Sequence, residues 1–303
     1  MLHILRKSFG TGIVTTSYPD TAPEMSGQAR GRPEIDFENW KDARPAAAIC
    51  PTGAIACEEA MRVRTVTLDL GKCVFCGLCA EVDAGIRMTH HCELAARRRE
   101  DLKWTRRYQL RDDGTQERLA AASPADAPKP AGASGSNSGS CETLGNELKG
   151  RINKIFGRSL HIREVDAGSC NGCEVEIVGL NGPVYDIERF GIHFVASPRH
   201  ADLLLVTGPV TRNMELALRK TYAAMPEPRL VAAVGACGCS GGIFGRNYAS
   251  LGGVDQVIPV DVYIPGCPPN PFALLHGILA AIGKLSGPGA RGSAGNGADA
   301  GHD

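Results

Sequence analysis

The sequence predicts an α/β fold built on a parallel sheet, preceded by a smaller domain and a flexible linker. Three observations predict it. In the C-terminal half, short apolar runs alternate with helical stretches, the pattern of strands covered on both faces. Each half carries cysteines grouped at the spacing of metal ligands. Between the halves the composition breaks: residues 120–140, "AAASPADAPKPAGASGSNSGS", are almost all Ala, Ser, Gly, Pro and Asp. Such a stretch cannot bury enough apolar surface to order itself. The expected layout is a first domain over 1–115, a linker over 116–145, the α/β domain over 146–285 and a disordered tail over 286–303.

At 303 residues the chain is long enough for two domains. Lys plus Arg equals Asp plus Glu at 33 each, so the charge balance gives no sign of a nucleic-acid partner. An aromatic content of 5% also speaks against stacked-base recognition. Twelve cysteines would point to disulfides in a secreted protein. The opening "MLHILRKSFGTGIVTTSYP", however, has no sustained apolar stretch and no twin arginine. A reducing, cytoplasmic protein that holds metal is expected.

Taken in order, the first domain is expected to end in a charged helix, "ELAARRREDLKWTRRYQLRDD" (93–113), with a solvated face. In the second, "SLHIREV" (159–165), "ADLLLVTG" (201–208), "RLVAAVGA" (229–236) and "VDVYIPG" (260–266) read as strands. "GPVTRNMELALRKTYAAM" (208–225) reads as a helix after a Gly-Pro turn. "PFALLHGILAAIGKL" (271–285) reads as a terminal helix packed on the core, too short to span a membrane.

The first group of cysteines is a split motif. Two-cluster iron–sulfur domains carry C-x₂-C-x₂-C-x₃-C-P runs, and the fourth Cys of each run binds the cluster of the other run. Here Cys50-Pro51 closes a run whose opening cysteines, sought around Pro45, Asp42 and Glu38, are absent. Cys73, Cys76 and Cys79 open a second run whose fourth position is Asp83. The rule leaves one complete site: Cys73, Cys76 and Cys79 with Cys50 as borrowed ligand. The four ligands of the other site are missing together. Gly77 permits the tight turn that wraps one cluster. These runs resemble bacterial ferredoxin domains of the type found in formate hydrogenlyase and complex I, and "VTTSYP" and "RGRPEID" resemble that subunit's lead-in. The resemblance implies a small ferredoxin-like α+β domain with one [4Fe–4S] cluster.

The second group lies on three loops, each after a predicted strand: "DAGSCNGCEVEI" with Cys170 and Cys173, "VGACGCSGGIF" with Cys237 and Cys239, and "VYIPGCPPNP" with Cys267. In open parallel sheets, loops beyond the carboxyl ends of the strands converge on one crevice. Four thiolates so gathered suit an iron–sulfur cluster, and they also suit zinc. The stretch from 155 to 285 resembles the small subunit of membrane-bound, energy-converting [NiFe] hydrogenases, homologous to the complex I subunit that holds the last cluster before quinone. The residues that carry this resemblance are "SLHIREVDAGSCNGCEVEI", "YDIERFGIHFVASPRHADLLLVTGPVTRNM", "GACGCSGGIF" and "VDVYIPGCPPNP". The spaced pair Cys170-Asn-Gly-Cys173 is the hydrogenase form; the complex I relatives have adjacent cysteines there.

The resemblance implies a flavodoxin-like domain and a second, proximal [4Fe–4S] cluster on Cys170, Cys173, Cys237 and Cys267. It implies an electron-transfer subunit with no catalytic residue of its own. Its partners would be a separate Ni-Fe large subunit and further iron–sulfur and integral membrane subunits, on the inner face of the cell membrane. The alternative is a complex I-type NADH/ferredoxin:quinone oxidoreductase subunit. Cys57, Cys92, Cys141 and Cys239 fit no ligand position. Glu174, directly after the first pair, is expected at the surface or in a salt bridge rather than in proton relay.

Overall fold

The computed structural model of the chain describes residues 2–17, 27, 29–118 and 158–285. The predicted linker beyond residue 118, Cys141 and the tail over 286–303 lie outside the described residues.

The N-terminal part opens with α1 (Leu2–Thr11). Short strand β1 (Pro33–Ile35) pairs antiparallel with β4 (Ile86–Met88). A second sheet has the order β2-β3-β5-β6, from β2 (Ile55–Ala60), β3 (Val63–Asp69), β5 (Lys103–Leu110) and β6 (Gln116–Arg118). Helices α2 (Arg44–Ile49) and α3 (Leu78–Val82) carry the residues just before Cys50 and around Cys79.

Three sequence expectations are corrected here. The stretch 93–113 is not one helix: it is an extended arm, a 3₁₀ turn over Arg99–Leu102 and then β5. Its charges misled, because "KWTRRYQL" alternates with the period of a strand and buries Arg106 and Tyr108. The Arg106 guanidinium sits 5.2 Å from the centre of the Phe37 ring, and the Tyr108 hydroxyl donates to the Phe37 carbonyl. The linker cannot begin at 116, since β6 pairs with β5 and Gln116 is buried against Arg64. Lastly, the spacing of the run counted back from Cys50 falls on Ala46, Ala43 and Trp40, not on Pro45, Asp42 and Glu38. All three are buried in the apolar core.

The C-terminal part has one five-stranded sheet, all parallel, from β7 (Leu160–Asp166), β8 (Ile192–Phe194), β9 (Leu203–Thr207), β10 (Leu230–Val234) and β11 (Val262–Ile264). Its order is β11-β10-β9-β7-β8. Numbered within the domain this is 2-1-3-4-5, the flavodoxin-like order, with its switch point between β7 and β9. Every residue of β9 and β10 is buried, which is why both runs are apolar but for Thr207 at the end of β9. Each buried Leu or Val there contributes roughly 1.5–3 kcal/mol relative to exposure. Helices α4 (Gly172–Gly179), α5 (Arg212–Ala223), α6 (Gly235–Ser240) and α7 (Pro271–Leu285) connect and cover the strands.

The two parts pack on each other. Ala96 of the arm exchanges both backbone hydrogen bonds with Tyr263 at 3.0 and 2.8 Å, extending the sheet beyond β11. Cys92 and Ala95 bury themselves in the core that includes Phe272 and Leu275 of α7.

Candidate metal centre

The sheet's carboxyl edge assembles one group of cysteines. After β7, the Asp166 carboxylate accepts the N–H groups of Gly168 and Ser169 at 2.7 and 2.6 Å, which folds the chain back. Asn171 then takes a left-handed φ of 68° and α4 starts, so Cys170 and Cys173 flank a tight turn. After β10, α6 begins at once and carries Cys237. The Ala236 N–H donates to the Gly266 carbonyl at 2.7 Å, tying the Cys237 loop to the Cys267 loop. The Thr211 N–H donates to the Ala167 carbonyl at 2.9 Å and ties the "TGPVT" loop to the Cys170 loop. Glycine is required where thiols crowd the backbone. A methyl group at Gly235 (φ +80°) would stand 2.8 Å from the Cys173 sulfur, and one at Gly242 (φ +56°) 2.8 Å from the Cys237 sulfur.

These four thiols feel one another. Burial pushes the Cys173 thiol up, and Glu174, Cys237, Cys267 and Cys170 push it further. The Cys237 thiol is pushed up to about 11 by burial, then by Cys267 and Cys170. The Cys267 thiol rises through burial and through Cys170. Burial and closeness favour the neutral thiols, and a bound metal group would favour the thiolates and turn the same closeness into ligation. Cys239 keeps different company. It is 1% exposed, its S–H donates to the Ala233 carbonyl at 3.6 Å, and its charged neighbours are Arg99, Asp69 and Asp255.

Glu174 departs from expectation. It is buried, and its Oε1 accepts a hydrogen bond from the hydroxyl of Thr207, a fully buried residue at the end of β9. Its other oxygen has no hydrogen-bond partner. A Glu next to a thiol pair reads as a surface residue because the side chain is charged; only the parallel strand beside it reveals the partner.

The second group lies in the N-terminal part. Cys50, Cys73, Cys76 and Cys79 line one pocket together with Pro51, Leu68 and Phe75. The Ala54 N–H donates to the Cys50 sulfur at 3.2 Å and the Phe75 N–H to the Cys73 sulfur at 3.4 Å. Such N–H···S bonds hold and tune cluster ligands. Gly77 has the left-handed φ of 84° that the turn calls for. The Cys73 thiol is pushed up to about 12, chiefly by burial and also by Cys50, Cys79 and Cys76. Both sets of four thus fit a shared metal group. Cys57 and Cys92 stand apart, the first half-buried and the second buried, each with a thiol pKa raised by burial.

Asp83, at the ligand position of the missing site, is engaged at both carboxylate oxygens. It accepts from the Trp40 indole N–H at 2.5 Å and from the Gly85 N–H at 2.9 Å.

Residues 170–281 match the family model described as the NADH ubiquinone oxidoreductase 20 Kd subunit. The match takes in Cys170, Cys173, Cys237 and Cys267; the four N-terminal cysteines lie outside it. The chain is 50% identical over 138 residues to formate hydrogenlyase subunit 7 of Escherichia coli K12, covering 46% of this chain and 54% of that protein. It therefore spans about half the length of that relative. It is 48% identical over 133 residues to the probable membrane-bound hydrogenase subunit mbhJ of Pyrococcus furiosus, covering 44% of this chain and 80% of that protein. Among solved structures, a chain of the archaeal membrane-bound sulfane sulfur reductase is 37% identical, with a TM-score of 0.41, over 48% of this chain and 78% of that one.

Proposed function

The chain belongs to the family of the NADH ubiquinone oxidoreductase 20 Kd subunit, which takes in hydrogenase subunits, and on that premise we propose that it is an electron-transfer subunit of a [NiFe] hydrogenase complex. The observation that carries this reading is the convergence of Cys170, Cys173, Cys237 and Cys267 at the carboxyl edge of the sheet, beside its switch point. These four hold a proximal [4Fe–4S] cluster, and Cys50, Cys73, Cys76 and Cys79 hold a second one in a ferredoxin-like domain fused ahead of it. When bound, such clusters take up and release single electrons. The protein's own residues partly desolvate the ligands, and in the N-terminal set they donate N–H bonds to the Cys50 and Cys73 sulfurs.

Partners follow from the surface. Cys170 and Cys267 are exposed, and so are Val175 and Val178 on α4 and Ile243 and Phe244 just past α6. Exposed apolar groups around a redox site mark a docking face, here for a separate large subunit with the Ni-Fe centre. No helix among the described residues is long and apolar enough to cross a membrane. Attachment to the inner face of the membrane is thus assigned to further subunits of the complex. The test is metal analysis of the purified native complex. About 8 iron and as many acid-labile sulfides per chain are expected, with nickel in a co-purifying subunit. Stoichiometric zinc in place of iron sinks the reading.

A further inference from the structure

The two groups of cysteines are joined through one nearly buried side chain. Arg99 follows the arm that pairs with Tyr263, and its side chain is 12% exposed. Its Nη2–H donates to Asp69 Oδ2 at 2.7 Å, and its Nη1 stands 2.7 Å from Oδ1 as an ion-pair contact without hydrogen-bond geometry. Its Nε–H donates to the carbonyl of Cys239 at 3.0 Å. Each end of this link runs into a cysteine site. On the N-terminal side, the Asp69 carbonyl accepts the N–H of Cys73 at 3.2 Å, and its carboxylate accepts the N–H of Gly71 at 3.0 Å. On the C-terminal side, Cys239 lies in the same short helix as Cys237, two residues on. Gly71 leaves the guanidinium its place: a methyl group there would stand 2.6 Å from Arg99 Cζ.

A nearly buried guanidinium held by a carboxylate at one end and a backbone carbonyl at the other is tightly specified in position. Here both acceptors lie within four residues of a cysteine site. We propose that Arg99 is a positioning residue that bridges the two sites: it locks the Cys73 turn against the Cys237 helix and completes a continuous path of covalent and hydrogen bonds between them. This rests on the reading that both sites hold clusters. One electron passed along the path oxidises one site by one equivalent and reduces the other by one. No covalent bond is made or broken and no proton is required.

Arg99→Lys separates bridging from folding. The ammonium keeps the charge partner of Asp69 but, as a compact group on a longer stem, cannot also supply the fixed Nε–H to Cys239. Two measurements on the full chain are compared with wild type. Hydrogen–deuterium exchange of the amides over 236–241 reads the clamp without reference to any metal. It is expected to speed up by about tenfold or more, the scale of one lost hydrogen bond to a charged group. Re-equilibration of electrons between the sites after flash photoreduction is expected to slow, while iron content and both reduced-cluster EPR signals persist. Unchanged exchange together with unchanged re-equilibration overturns the proposal. So does loss of either cluster's iron in Arg99→Lys, which would make Arg99 a support of the fold alone. If wild type itself holds fewer than two clusters, the functional reading fails and the path with it, while the exchange experiment still decides the clamp.

Discussion

Cys237 and Cys239 stand two residues apart, and replacing each by alanine tests the C-terminal ligand set at its most ambiguous point. Cys239 sits in a packed environment, 1% exposed, with its S–H on the Ala233 carbonyl. Truncating it removes one sulfur atom from a well-filled place. The cost is about 1–2 kcal/mol, since little more than a methylene's worth of packing and one weak hydrogen bond are lost. Iron content should stay at about 8 per chain. Cys237 faces Cys267 and Cys170, so its removal takes one of four ligands and should cut iron to about 4 per chain. The assay is iron and sulfide content, with low-temperature EPR of the dithionite-reduced chain. A Cys239→Ala chain that loses its proximal signal, beside a Cys237→Ala chain that keeps it, would refute the assignment outright.

Three further expectations follow from the same structure. Cys50→Ala should lower iron by roughly half and disturb only the N-terminal cluster; intact signals from both clusters would disprove the borrowed ligand. Trp40→Ala should cost about 3–5 kcal/mol in urea unfolding followed by tryptophan-independent circular dichroism, because it empties a core position and strands the Asp83 carboxylate; a loss below about 1 kcal/mol would contradict the packing described. The third concerns pH. Burial holds His276 neutral and its pKa below the usual value near 6.5, with His91 acting in the same direction and Glu93 against it. The folded chain then binds fewer protons there than the unfolded one, so stability present above about pH 6.5 is lost as pH falls through the folded-state pKa. His276→Leu should flatten that slope in thermal melts and leave only the share due to His91, which is also depressed by burial; an unaltered slope would exclude His276 as its source.

The sequence made the cysteine groups and the central strands legible for simple reasons. Thiols at C-x₂-C spacing have few purposes, and β9 and β10 are apolar at every position but Thr207 because both faces are covered. Strand β8 was missed: three residues at the sheet's edge carry too little pattern to read. The stretch over 93–113 was misread because arginine is usually solvated. Here Arg64, at 1% exposure, is satisfied by Asp42, Glu59 and Gln116, and Arg106 lies on Phe37. Local charge does not announce a partner far off in the chain. The same holds for Arg99, whose bond to Cys239 joins residues 140 apart in sequence, and for Glu174, whose hydroxyl partner lies 33 residues on.

The N-terminal part also shows how one set of four positions keeps thiols in one pocket while its counterpart is filled with core. In the two-run pattern each site draws three residues from one run and the fourth from the other. Both halves of that exchange are visible in the fold. Cys50 from the first run meets Cys73, Cys76 and Cys79 of the second in one pocket. Asp83 from the second run meets Trp40 of the first through a hydrogen bond of 2.5 Å. The topology that brings the runs together is therefore kept at both places, and only the chemistry differs. At one place the side chains are thiols with N–H donors aimed at sulfur. At the other, an indole stacked edge-on against Phe37 and Tyr108, with Ala43 and Ala46 beside it, fills the space with core. A large aromatic buries about 150–250 Å², so at this place the two runs are held together by packing. The carboxylate of Asp83, already accepting from Trp40 and Gly85, is committed to that packing rather than offered as a ligand.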